Sequence, residues 1–480
     1  MKIFYLLFSL LLLSFLGFTQ NDKISKSQKE IIILHVNDMH GRIDQFPALS
    51  AMIQEIKSTH KNVVLVSSGD LFSGNPIVDK YPEKGYPIID LMNDLHFDVS
   101  TLGNHEFDFG PQILAKRLNE AKFQFIASNM VANIPAFPQP KQLAQFKLSK
   151  TNITILGITQ VEQNGHPDTH PNNYADFSFI PGIQKAKEYS ALSKKGKVFI
   201  VLSHMGFDED SLLATQMPEI TAIIGGHSHK AFPSGRRING VTVAQAGYYL
   251  KFLGMLTITL DHNKVISIHD TLLPLKGYAK IDSLILKKVK EYNNNAELAK
   301  VVGYIGSPLQ GENELGFFMA NASLRSVKAD FSFQNSGGIR VSEIPAGPVT
   351  TKQVYELDPF SNEIMLCKMT PAQIRELITF GYKKEKKADL ISSGISSDIY
   401  INSDNSVAKI DLFLPDGSTP DEQKVYVVAL NSYVAGAYKF SRTGEPVGTG
   451  ITTTDALLKL LSVIKSVNPL GKTTTKLINK

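Results

Sequence analysis

At 480 residues the chain is too long for one ordinary hydrophobic core, so two domains with short extensions are expected. Its 50 basic and 45 acidic residues leave a formal charge of +5. These charges run along the whole chain with no basic block, which gives nucleic-acid binding no support. The single cysteine, Cys367, rules out an internal disulfide and a cysteine-rich zinc or iron–sulfur centre. Any metal must therefore be held by Asp, His, Asn or Glu.

The chain opens with MKIFYLLFSLLLLSFLGFTQNDK, in which Lys2 precedes an uninterrupted apolar run and polar residues follow it. This is the pattern of a secretory signal peptide over residues 1–19, cleaved after Thr19 with the small Gly17 at the minus-three position. The run from Ile3 to Phe18 is short of the ~20 residues that cross a bilayer, and no cysteine lies nearby to carry a lipid. Export to the periplasm or the extracellular space, without a stable membrane anchor, is the expectation.

Val/Ile-rich runs follow in order: IIILHV (31–36), NVVLVSS (62–68), FDVSTL (97–102), FQFIAS (123–128), ITILGI (153–158), KVFIVLS (197–203) and TAIIGG (221–226). They are apolar on consecutive positions and of strand length, as strands buried on both faces require. The intervening FPALSAMIQEIKSTH and PQILAKRLNEAK read as helices, so the first half is α/β. From residue 241 the pattern turns hairpin-like, with a tight turn at His262-Asn263. YAKIDSLILKKVKEYNNNAELAKVVG then reads as a lysine-bearing helix with an Asn-rich break. These features predict a first domain over 28–278, a linker helix over 279–300 and a second domain over 301–480. Further helices are expected at GFFMANASLRSVKADF and TTTDALLKLLSVIKSV.

In open α/β sheets, ligands bind at the carboxyl ends of the strands. Five of the apolar runs end in metal-philic groups: Asp38 and His40; Asp70; Asn104, His105 and Asp108; His204; His227 and His229. Any one of these alone reads as a helix cap or a structural histidine. Five together, on parallel strands, converge on one crevice. Asp38 and His40, like His227 and His229, are two apart, which in extended chain puts both side chains on one side. With Asp70 as a bridging carboxylate, one ion takes Asp38, His40, Asp70 and His229, and the other takes Asp70, Asn104, His204 and His227. Mixed nitrogen and oxygen ligation without thiolate suits two divalent ions of Zn, Mn, Fe or Co. Such a pair generates hydroxide near neutral pH and polarises phosphoryl oxygens. His105 is left free to stabilise those oxygens or protonate the leaving oxygen, with Asp108 fixing its tautomer. Glu106, Phe107 and Phe109 read as packing or loop support.

At NDMHG (37–41), SGDLFSGNP (68–76), LGNHEFDFG (102–110), LSHMG (202–206) and GGHSH (225–229) the chain resembles the calcineurin-like metallophosphoesterases. Over nearly its whole length it resembles the two-domain 5′-nucleotidase family, which includes periplasmic UDP-sugar hydrolases and ecto-5′-nucleotidases. The resemblance implies a four-layered α/β/β/α sandwich followed by a second, smaller α/β domain. It also implies the metal and His105/Asp108 roles above, and a small-molecule phosphoester substrate. FSFQNSGGIR (331–340) is similar to the family's phosphate- and base-contacting loop, which implies substrate roles for Asn335, Gly337, Gly338 and Arg340. Segments such as VYELDPFSNEI (354–364) match as structural elements.

The second half also departs from the family pattern. Gly311 and Phe317 stand where an arginine and an Asn or Arg are usual, and Asp389 replaces an aromatic of the base clamp. In AGAYKFS, Tyr438 or Phe440 is left to supply a stacking face, and Phe440 is taken as the substrate contact. The expected function is a secreted phosphohydrolase acting on phosphate monoesters of nucleotides, with nucleotide-sugar pyrophosphates as further substrates. One alternative keeps the chemistry but takes a non-nucleotide phosphoester or a cyclic phosphodiester. Another is a non-catalytic nucleotide- or phosphate-binding relative. Metal identity and oligomeric state are not fixed by the sequence.

Overall fold

In the strand Gln28–Val36, successive apolar residues point to opposite sides, so Ile31 and Ile33 enter one core while Ile32, Leu34 and Val36 enter another. That double burial sets the architecture of the first half. The computed structural model describes residues 28–193, 198–464 and 475–479. The expected signal peptide, residues 1–19, lies outside them. No helix among the described residues is long and apolar enough to cross a membrane.

Two six-stranded sheets make up the first half. The first runs Lys264–Pro274, Phe252–Asp261, Gln28–Val36, Val63–Ser67, Val99–Thr101, Gln124–Ile126, the last four parallel. The second runs Arg236–Ile238, Val241–Ala244, Ala222–Ile224, Val198–Ser203, Thr151–Ile158, Leu143–Leu148, with a parallel centre and antiparallel edges. Their inner faces meet through Ile31, Ile33, Val64, Val66, Ile153, Ile155, Ile200 and Ile224. The outer face of the first sheet is covered by the helices Phe46–Thr59, Tyr86–Asp94 and Pro111–Glu120, through Leu49, Ile88 and Leu114. Gly182–Glu188 and Phe207–Gln216 cover the second, through Ala186 and Leu213. Helix, sheet, sheet and helix are thus stacked in four layers.

The expected hairpin is present, with His262 and Asn263 at φ of 49° and 64° in its two-residue turn. The lysine-bearing helix Ser283–Asn293 is docked rather than free. Asp282 caps it, accepting from the N–H groups of Leu284 and Ile285, and also accepts from Ser50 Oγ and Gln54 Nε2 on the first helix. Ile285 and Val289 fall into the core beneath.

The second half is built on a five-stranded sheet ordered Leu390–Ser393, Phe331–Asn335, Tyr426–Asn431, Glu363–Met369, Val447–Thr452. Gly311–Ser326 and Thr453–Val463 pack on one side through Leu315, Phe318, Leu457 and Leu460. Pro371–Glu385 packs on the other through Ile374 and Leu377. Ion pairs and hydrogen bonds join the halves, among them Arg42 Nη1 to Glu356 Oε1 at 2.7 Å and Lys80 Nζ to Ser361 Oγ at 3.2 Å.

The carboxyl ends of the two sheets are drawn together by direct contacts. Ser68 Oγ donates to the carbonyl of Ile224 at 3.1 Å, and Ser128 N donates to the carbonyl of Gly157 at 2.8 Å. Gly157 has no side chain for a specific reason, since a Cβ there would collide with the carbonyl of Ile126 on the opposite sheet. Gly157→Ala should therefore push the sheets apart beside the strand ends, destabilising the protein by about 1–3 kcal/mol. A fall of several degrees in the thermal midpoint, with circular dichroism unchanged at room temperature, is the expected result.

Candidate active site

The predicted ligands come from the carboxyl ends of two sheets, not of one, and meet in one cluster. Asp38, Asp70 and Asn104 follow strands of the first sheet; His204, His227 and His229 follow strands of the second. The loops are tied to one another directly, for the N–H of His227 donates to both carboxylate oxygens of Asp38 at 3.0 and 3.1 Å.

One correction concerns the backbone. Asp38, His40, Asp70, His227 and His229 have φ of 52°, 48°, 54°, 68° and 55°, so the two-apart pairs lie in left-handed turns and not in extended chain. Each such residue costs on the order of 1–3 kcal/mol and persists only where its surroundings hold it. Here Asp38 N donates to Gly69 O, His40 N to Asp70 O and Gly41 N to Leu71 O, at 2.7–3.0 Å. The fully buried Glu106 fastens the same loop by accepting from the N–H groups of Asp70, Leu71 and Gly103. Burial, then the neighbouring Asp70, pushes its carboxyl up to about 7 against those donors. Gly103 is required because a Cβ would strike Asp70 Oδ1.

Three overlapping groups of donors result, each with its ligand atoms within 4.8 Å of one another: Asp38, His40 and His229; Asp70, His204 and His227; and, between them, His40, Asp70 and His105. In the first, His229 Nε2 is 3.4 Å from Asp38 Oδ1 and 3.0 Å from His40 Nε2. In the second, His204 Nε2 is 3.0 Å from Asp70 Oδ2, while Asn104 Oδ1 lies 3.0 Å from His227 Nδ1. Asp70 belongs to both neighbourhoods, because its Oδ2 is also 3.8 Å from His40 Nε2.

The donor set fits cations. His40 Nδ1 and His204 Nδ1 face the carbonyls of Ser73 and Ser68 at 2.9 and 2.5 Å, which can only accept, so each neutral ring carries its lone pair on Nε2. His204 Nε2 is buried with no donor aimed at it and faces the carboxylate of Asp70. Burial, then Arg340, lowers the pKa of His40 well below its usual value; burial, then His204, lowers His227 to about 4. Both are neutral at neutral pH, as coordination demands. Burial also opposes a proton on His204, but the carboxylates of Asp70 and Asp38 outweigh it and carry that pKa up to about 10. The same carboxylates favour a cation among these rings, and carboxylate with imidazole suits Zn, Mn, Fe or Co.

His105 stands beside this cluster with its ring 5.1 Å from that of His40. Its Nδ1 is 2.6 Å from Asp108 Oδ2, and Asp108 Oδ1 accepts from Thr169 Oγ1 at 2.6 Å. Burial opposes protonation of His105, yet Asp108 and then Asp70 raise its pKa. Phe360, from the second half, stacks on the His105 ring at 5.5 Å.

Of the residues expected to touch substrate, Arg340 is brought to the cluster. Its Nη2 lies 3.0 Å from both ring nitrogens of His40, and its Nε is buried without a partner. Asn335 is engaged within its own half, accepting from Asn431 Nδ2 at 2.9 Å. Gly337 is exposed in the loop, and Gly338 packs against Gln334. Phe440 packs on the second-half core beneath the guanidinium of Arg442, 5.7 Å away. Tyr438 donates to Asp389 Oδ2 at 2.7 Å, and Asp389 Oδ1 accepts from Ser336 Oγ at 2.8 Å. Sequence reasoning missed Phe360 and Asp168, whose carbonyl accepts from Asn104 Nδ2 at 3.0 Å. Phe360 lay in a segment read as structural; Asp168 lay in a loop without a motif.

Residues 31–231 match the family model for calcineurin-like phosphoesterases, and residues 298–443 match that for the 5′-nucleotidase C-terminal domain. Endonuclease YhcR of Bacillus subtilis is 26% identical over 88% of this chain, which spans only 38% of that protein's length. The human 5′-nucleotidase is also 26% identical, over 72% of this chain and 71% of its own. In fold, the chain is similar to the crystal structure of a 5′-nucleotidase precursor from Thermus thermophilus, with a TM-score of 0.82, 23% identity, and coverage of 94% of this chain and 100% of that one. With both halves matched in order, the chain belongs to the two-domain 5′-nucleotidase family, a calcineurin-like phosphoesterase domain followed by a 5′-nucleotidase C-terminal domain.

Proposed function

We propose that the protein is an exported, dinuclear-metal phosphohydrolase of 5′-nucleotidase type that cleaves phosphate monoesters, nucleotides foremost. The observation that carries this reading is the convergence of buried imidazoles and carboxylates around Asp70, with the lone pair of His204 Nε2 aimed at no protein donor. Asp38, His40, Asp70 and His229 hold one ion, and Asp70, Asn104, His204 and His227 the other. Two divalent ions, when bound, supply Lewis acidity toward the phosphoryl oxygens and make a water molecule acidic enough to attack near neutral pH. Arg340 binds the phosphoryl group, a charged hydrogen bond of about 1.5–3 kcal/mol. His105, oriented through Nδ1 by Asp108, presents Nε2 to the transferring group or the leaving oxygen. In the same reading, residues 28–278 carry the chemistry, 301–480 carry substrate binding, and 279–300 join them. Nucleotide-sugar pyrophosphates are further substrates by the same cleavage. Export rests on the leader in residues 1–19.

A second reading keeps the reaction and changes the substrate to a non-nucleotide phosphoester or a cyclic phosphodiester. It draws on Tyr438 and Asp389, which satisfy each other and leave neither free to hold a base.

The first test is phosphate release from AMP and from an aryl phosphate in the presence of Mn or Zn. A preference for AMP supports the nucleotide reading, and equal rates support the second. His105→Ala should lower kcat by about 10²–10⁴ with metal content unchanged; unchanged turnover would refute the role given to His105. The pH profile checks the pair independently. The raised pKa of His105 keeps its imidazolium present to higher pH, and the activity that depends on it falls as pH rises through that pKa. Asp108→Asn removes the largest raising influence, so the alkaline fall in kcat should move to lower pH.

A further inference from the structure

Tyr249 contacts both halves of the site. The sequence GYYLK bends there through two consecutive bulky residues, Tyr249 and Leu250, at φ of 57° and 53°. Side chains of this size rarely adopt that conformation, and it persists only where the surroundings fix it. The surroundings of Tyr249 do so at several points. Its N–H donates to the carbonyl of Asp38 at 2.8 Å. Its ring meets that of His40 edge-on, with centroids 5.5 Å apart and planes at 88°, and the Arg42 guanidinium lies 4.9 Å from its centre. Its hydroxyl donates to the carbonyl oxygen of Arg340 at 3.0 Å.

That last bond crosses between the halves. The peptide of Arg340 is held from its own side by N–H donation to the carbonyl of Leu357 at 3.1 Å, and from the other side by Tyr249. The guanidinium that leaves this anchored backbone reaches the ring of His40, which Tyr249 also touches. One side chain therefore sets the distance between a donor of the first half and the cation of the second. The halves do not depend on it to stay together, because Arg42 with Glu356 at 2.7 Å and Lys384 with Asp168 at 3.1 Å cross the same boundary.

Resting on the function proposed above, we infer that Tyr249 is a positioning residue whose hydroxyl aims Arg340 at the phosphoryl group of the substrate. It touches no reacting atom; it acts through Arg340.

The experiment uses the full chain with Mn, comparing wild type, Tyr249→Phe, Arg340→Ala and the double variant. Removal of one hydroxyl should raise KM for a phosphate monoester about 3- to 10-fold and weaken inorganic phosphate binding equally, with kcat changed less than about twofold. Metal content and thermal midpoint should stay at wild-type values. In the Arg340→Ala background the same substitution should do nothing further, because its effect runs through that side chain. An undiminished KM effect in that background, a loss of metal, or an unchanged KM in Tyr249→Phe alongside an active wild type would each overturn the inference alone. A wild type that neither hydrolyses phosphate esters nor binds phosphate would overturn the proposed function first, and this inference with it.

Discussion

The carboxylate of Asp70 is the constraint around which this molecule is arranged. It is 1% exposed, where an unpaired charge would be severely penalised. Burial favours its neutral form, but His204 and then His105 outweigh it and hold its pKa well below the usual carboxylate range. The charge therefore stays, and positive or hydrogen-donating groups must come to it. The N–H of His105 donates to its Oδ1 at 3.0 Å, His204 lies against its Oδ2 at 3.0 Å, and His40 approaches the same oxygen at 3.8 Å. The left-handed turns, the clamp of Glu106 and the bare Cα of Gly103 all serve to let these groups close in.

Much of this was legible in the sequence because the strands are buried on both faces. A run such as VVLV (63–66) has no polar positions, so its end is marked sharply by the polar and glycine residues that follow, here Ser67, Ser68, Gly69 and Asp70. The division into two sheets came from the family resemblance and not from this pattern, since consecutive apolar residues report that both faces are covered and not by what. The left-handed backbone was invisible for another reason. Asp and His at positive φ carry no compositional mark of the kind glycine gives, and spacing alone reads as extended chain. Contacts such as His105 with Phe360 join residues far apart in the chain, and no local pattern announces them.

The second half adds charge and cover to the first. Arg340 brings a guanidinium to the ring of His40, and Phe360 lies over His105. Asp168 of the first half receives Lys384 and the hydroxyl of Tyr433 from the second, while its backbone carbonyl holds the amide of Asn104. The state of the boundary is thereby felt at a proposed ligand. By contrast, Asp389, Tyr438 and Asn335 spend their hydrogen bonds within the second half, which is why the chemistry was easier to read from the sequence than the substrate.

The claim beneath all of this is that Asp70 is shared by two cations. Metal analysis by mass spectrometry on purified protein, with Asp70→Asn and His229→Ala alongside, addresses it most directly. The account predicts two divalent ions per chain in the wild type, one in His229→Ala and fewer than one in Asp70→Asn. Two ions retained after Asp70→Asn, or none in the wild type supplied with Mn or Zn, would contradict it.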